Sequence, residues 1–185
     1  AAGGNIHSLE IVEHFPESAI DDFMVDLPPG VLPDSLVSAV QGVAGVRVLW
    51  VSRHHSAWHV GTDAAVVDKM YADQEHAAAI LVAEAPDAFH STWAALIDRS
   101  GEPPKVLETT RLAPDFATDG LTALGALDEV RTFELPAEWL PQWGETVVAL
   151  APVNDALSIV VGRQGGPAYL NYELGRLKHL ARLAD

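Results

Sequence analysis

The side chains best suited to chemistry here are histidines and carboxylates, and their spacing decides how far each goes. His54, His55 and His59 stand together, with Asp63 close behind. Neutral imidazoles bind zinc, nickel and copper, and two histidines four apart share a face when they sit on a helix. Ser56 and Gly61 break this segment into a loop, so a solvated connection is expected rather than a metal site. Asp21, Asp22 and Asp26 raise the question of calcium or acid–base work. Asp22 and Asp26 are set along a strand with Met24 between them, too extended to hold one ion, and the EF-hand glycine and distal glutamate are missing. Gly162-x-x-Gly165-Gly166-Pro167 has the composition of an anion cradle but neither the dinucleotide-binding spacing nor a P-loop lysine, and reads as a turn. No Gly-x-Ser-x-Gly elbow organises a nucleophile. The residues name no catalytic group, no metal site and no cofactor, so the expectation is a protein that is not an enzyme.

The totals narrow the partners. A net charge of −15, with eleven Lys and Arg spread along 185 residues, argues against a nucleic-acid backbone or an anionic membrane surface. No apolar run approaches the roughly 20 residues of a spanning helix. Apolar residues make up 49% of the chain, enough for a packed core and too many for disorder. Cysteine is absent, which removes disulfides and fits a cytoplasmic location.

The elements that must carry these residues follow from periodicity. Gly3-Gly4 turns into a strand over 5–15, where His7, Leu9, Ile11 and Glu13 alternate onto one face, Leu9 and Ile11 toward a core. A second strand over 20–27 alternates Phe23, Val25 and Leu27 with Asp22, Met24 and Asp26, and Pro28-Pro29-Gly30 stops it. Asp34 or Ser35 caps a short helix ending at Gly45, and a third strand runs over 46–53 with Val46, Val48 and Trp50 on one face. Strand, strand, helix, strand is the latter part of a βαββαβ sandwich whose first strand and helix are missing.

Gly-Gly-Asn-Ile-His-Ser-Leu-Glu-Ile-Val resembles the second-strand entry of ACT domains, small amino-acid-sensing modules. The Pro-Asp-Ser-Leu helix and the Val-Arg-Val-Leu strand are similar to the same pattern. The resemblance implies a ferredoxin-like fold, a homodimer, and an amino-acid effector touched by Asn5, Ile6 and His7. It also implies an Asp-x-Pro-Gly-like loop before the first helix, and no such loop precedes Ala1.

Beyond a linker, a helical stretch over 62–84, interrupted near Ala72-Asp73, leads to strands over 91–98 and 105–111. A helix over 114–127 follows, weakened by Gly120 and Gly125. A short strand over 129–135 and a hairpin over 145–162 precede a closing helix opened by Gly165-Gly166-Pro167, with Leu170, Leu174, Leu177, Leu180 and Leu183 along its inner stripe. The Ser-Thr-Trp-Ala-Ala-Leu-Ile-Asp-Arg-Ser-Gly hairpin and the Leu-Ser-Ile-Val-Val-Gly-Arg ending resemble a GAF-type sensor domain. Trp139 and Trp143, around Pro141, read as cover for an edge or a partner.

The expectation is an α+β protein in two parts: an N-terminally incomplete ACT-like domain over 1–54, a linker over 55–61, and a GAF-like antiparallel sheet flanked by helices over 62–185. Its implied role is regulation, with a small molecule, an amino acid, shifting the packing of a dimer. The alternative is a ligand-free protein–protein interaction or dimerisation module.

Overall fold

The computed structural model describes residues 3–52, 62–116, 118–136, 138–139 and 144–185. His54, His55, His59, Pro141 and Trp143 lie outside the described residues, as does the linker expected over 55–61. The chain divides into two units, Ala1–Ser56 and Ala57–Asp185.

In the first unit, β1 (Asn5–Phe15) and β2 (Ser18–Asp26) form an antiparallel hairpin. Two register shifts, between Ile6 and Ser8 and between Ile11 and Glu13, decide which side chains share a face. The pairs Ile6–Val25 and Leu9–Phe23 alternate with Ser8–Met24 and Glu10–Asp22. Ile6, Leu9, Ile11, Phe23 and Val25 therefore lie on one side, and the shifts move His7 and Glu13 off the face that strict alternation assigned them. α1 (Pro33–Gln41) starts with Pro at its first position behind the extended Leu32, where proline's fixed φ fits and its missing N–H costs nothing. Neither Asp34 nor Ser35 is its cap; the Ser35 hydroxyl instead donates to the Leu32 carbonyl at 2.7 Å.

Two expectations fail in this unit. Residues 46–52 join no sheet, because a strand needs a hydrogen-bonded neighbour and the two-stranded ladder pairs only with itself. Leu9 and Ile11 do not face a core: they are 56% and 63% exposed, and no described residue up to Ser52 is buried. The ferredoxin-like arrangement is thus not formed by the described residues.

The second unit holds the core. Its sheet runs β4-β3-β7-β6-β5, all antiparallel, from β3 (Trp93–Asp98), β4 (Lys105–Thr109), β5 (Arg131–Glu134), β6 (Thr146–Pro152) and β7 (Leu157–Gln164). The three central strands read as near-continuous apolar runs, which is the pattern of strands covered on both faces. One face carries Ala94, Leu96, Val147, Ala149, Ile159 and Val161 against α2 (Thr62–Ala72), α3 (Ala77–Ala88) and α5 (Asn171–Leu183). The other carries Ala95, Ile97, Val148, Leu150 and Val160 against Leu121, Leu124, Leu127 and Phe116.

The helix expected over 114–127 shrinks to α4 (Thr118–Ala123). Gly120 lets the Trp139 ring close in, since a Cβ there would lie 2.5 Å from its Nε1, and Gly125 takes φ +64°, which ends the helix. α5 begins at Asn171, not at Pro167, and of its leucine stripe Leu177 and Leu180 are buried while Leu183 is exposed. Asp63 in the first turn of α2 takes a two-pronged contact from Arg176 of α5, at 2.7 and 2.5 Å, and Arg176 also donates to the Ala88 carbonyl at the end of α3. One guanidinium thus ties the middle of α5 to the start of α2 and the end of α3.

Gly162 faces Trp93 across the β3–β7 ladder, and a Cβ there would lie 2.0 Å from the indole. Gly162→Ala is expected to lower stability by about 1–3 kcal/mol through overpacking, seen as a lower urea midpoint at unchanged slope. An unchanged midpoint would contradict this placement of the indole.

Candidate functional site

Asn5, Ile6 and His7 sit at the open end of the hairpin. Asn5 is the ladder partner of Asp26 and Ile6 of Val25, while His7 falls in the first register shift. There the imidazole Nε2 comes 3.5 Å from the Asp26 carboxylate, both side chains more than half exposed. The structure therefore brings an amide, an imidazole and a carboxylate to one strand end, and Asp26 is the member that sequence reasoning did not select. Its signal was its position opposite Asn5, which only the register reveals. Ile6, 59% exposed, belongs to the opposite, apolar face.

In the second unit the sheet face toward α4 is lined by aromatic rings. Trp93 meets Phe116 edge-on at 5.4 Å, and Phe116 meets Trp139 at 5.7 Å. Two polar atoms are enclosed there without a hydrogen-bond partner among the described residues, Nε1 of Trp93 and Oγ1 of Thr146. They lie on this face because Gly162 is the ladder partner of both Trp93 and Val148, and Thr146 is two residues from Val148.

The helical face carries a buried charge that the sequence also did not announce. Arg163 is 3% exposed and pairs with Glu173 at 2.5 Å. Its remaining donors reach the Phe89 carbonyl at 2.8 Å and those of His90 and Pro167 at 3.2 Å each. The Tyr169 ring lies under the guanidinium at 4.1 Å, and the Tyr169 hydroxyl bonds Ser91 at 2.7 Å. Burial pushes the Tyr169 phenol well above its ordinary range. Glu173 spends its other oxygen on the Leu170 N–H at 2.8 Å. With its donors and acceptors spent on each other and on backbone, this cluster is a clamp fixing α5 to the sheet, not a reactive group. The signal available in sequence was a lone arginine ending the apolar run Leu-Ser-Ile-Val-Val-Gly.

Among the described residues no group of three or more His, Asp or Glu could hold a metal. Asp21, Asp22 and Asp26 spread along β2, with Asp22 and Asp26 on the face of Glu10 and Asn5. Gly166 of the glycine turn packs on the Arg163 side chain, where a Cβ would lie 2.4 Å from Cδ. That segment serves the clamp.

No protein-family model and no curated protein matches the sequence. Among solved structures the chain is similar to the GAF domain of an Acinetobacter phosphoenolpyruvate-protein phosphotransferase, with 14% identity and a TM-score of 0.50 over 70% of this chain and 92% of that one. The first unit ends at Ser56 of 185 residues, so a match of that extent draws mainly on the second. The likeness supports a GAF-like fold; it does not extend to an ACT domain. No described helix is long and apolar enough to cross a membrane.

Three measurements follow from this geometry. Glu173→Gln leaves a buried guanidinium without its counter-charge and is expected to cost about 3–5 kcal/mol by denaturant unfolding; a loss no larger than that of a surface pair would contradict the clamp. Thr146→Val removes a hydroxyl that bonds nothing, so the urea midpoint should stay level or rise, and a clear fall would mean the hydroxyl has a partner. His76, exposed, is held above its ordinary pKa by the hydrogen bond its Nδ1 donates to the Asp73 carboxylate, then by that carboxylate's charge. Asp73→Asn should lower the His76 midpoint in an NMR titration; an unmoved midpoint would show that the contact does not persist in solution.

Proposed function

We propose that the chain is a non-enzymatic regulatory sensor of the cytoplasm that binds a small molecule, an amino acid, and acts by shifting the packing of a homodimer. The observation that carries this reading is the Asn5, Ile6 and His7 strand entry, similar to that of ACT domains, with the Asp26 carboxylate brought opposite it by the ladder. A zwitterion suits it: the Asp26 carboxylate takes the ammonium, and the Asn5 amide and the His7 imidazole donate to the carboxylate. A GAF-like second unit is compatible with a sensing role. The division into an ACT-like domain over 1–54 and a GAF-like domain over 62–185 belongs to the same reading.

A second reading, a protein–protein interaction module, is favoured by a separate observation. Ile6, Leu9, Ile11 and Phe23 present one exposed apolar face on the hairpin.

Calorimetry of the full chain against each of the twenty amino acids tests the first reading. One of them should give heat, and Asn5→Ala should weaken its binding about tenfold, the loss of one charge-assisted hydrogen bond. Heat from none of the twenty would end it. Should sedimentation show a dimer that Phe23→Glu dissociates while no amino acid binds, the interaction reading replaces it.

A further inference from the structure

At one end of the second unit's sheet lies a cleft of about 400 Å³ between the β3–β4 turn, the β6–β7 turn and the C-terminal half of α5. Three cations border it, Arg99, Lys178 and Arg182, facing two carboxylates, Asp128 and Asp155, and the amide of Asn154. With only eleven Lys and Arg in the whole chain, three around one opening is a concentration that overall charge does not explain. The helix dipole favours cations at the end of α5, yet it does not account for Arg99, which comes from another element.

The way these groups are held matters more than their number. Arg99 is fixed: its Nε donates to the Ser158 hydroxyl at 3.1 Å and its Nη2 to the Asn154 carbonyl. Asn154 is fixed as well, its Oδ1 accepting from the Ala156 and Leu157 N–H groups and its Nδ2 donating to Asp185 at 2.9 Å. Ser158 is locked in turn by the Leu127 carbonyl at 2.5 Å. By contrast Lys178, Arg182, Asp128 and Asp155 form no ion pair with any described residue, although opposite charges border one opening. Lys178 and Arg182, four apart on α5, are like charges that repel unless an anion lies between them. Val130 and Val153 add apolar surface.

We infer that this cleft binds a small zwitterion, a free amino acid, with the ligand carboxylate on Lys178, Arg182 and the unused Nη1 of Arg99 and its ammonium on Asp128 or Asp155. A ligand carrying both charges fits because the cleft offers unpaired groups of both signs. The site rests on the amino-acid reading above but lies in the other unit, which separates the two by experiment.

The test is a heteronuclear NMR titration of the isotope-labelled full chain with each of the twenty amino acids at millimolar concentration, and separately with inorganic phosphate. The expected result is saturable shifts at residues 153–157 and 178–182 with one amino acid. Lys178→Gln with Arg182→Gln, both exposed and helix-compatible, should weaken that binding about tenfold or more, while the rest of the spectrum keeps its dispersion. Asp128→Asn with Asp155→Asn should weaken it as well. Shifts confined to Asn5–His7 would overturn the cleft and keep the sensor reading. Shifts nowhere, with any amino acid, would overturn both. Equal binding of phosphate, unaffected by the two Asp→Asn changes, would make the cleft a plain anion site and overturn the zwitterion.

Discussion

Burial of β3, β7 and β6 on both faces is the constraint on which the second unit depends. Strands covered on one side can alternate, but these cannot, so most positions that would face water in a simple hairpin hold Val, Ile, Leu, Ala or Trp, with Thr146, Ser158, Gly162 and Arg163 as the departures. Two consequences follow. Polar groups that remain inside must be satisfied, and Arg163 is, by Glu173 and three backbone carbonyls. Large rings need room made for them, and Gly162 makes it for Trp93 as Gly120 does for Trp139. The exceptions, Trp93 Nε1 and Thr146 Oγ1, lie on the face where loops rather than three helices form the cover.

Two places proposed for a ligand are the hairpin end of the first unit and the cleft at the turns of the second, each with polar groups on the described surface. They differ in kind. The Asn5, His7 and Asp26 group lies open on a strand, while the cleft is concave and its Arg99 and Asn154 are preset by hydrogen bonds to the scaffold. Preset donors lose less freedom on binding, which favours the second place for a small, polar ligand.

Much of the second unit was legible because its strands and helices declare themselves locally. The runs Trp-Ala-Ala-Leu-Ile-Asp and Leu-Ser-Ile-Val-Val-Gly became strands, and the GAF-like resemblance agrees with the structural likeness. The helix over 114–127 was overread: Gly125 at φ +64° and the Trp139 ring over Gly120 restrict it to six residues. The first unit was misread for a different reason. Alternation in 46–53 describes a strand's composition but supplies no neighbour to pair with, and Leu9 and Ile11 read as core in a segment that encloses none. Among the candidate sites, Asn5 and His7 were visible as residue types, whereas Asp26 required the ladder register. The cleft required the tertiary fold, since Arg99, Asn154 and Lys178 lie in three separate elements with nothing in their spacing to join them.

The central claim is that binding is carried by polar margins around a core that does not open. Amide hydrogen exchange, with and without an amino acid at saturating concentration, tests it most directly. The account predicts slowed exchange at the margins, in the turn after β6, the last turns of α5 or the start of β1, with β3, β6 and β7 equally protected in both states. Ligand-dependent protection centred on Trp93 and Thr146 beneath α4, or none at any amide, would contradict it.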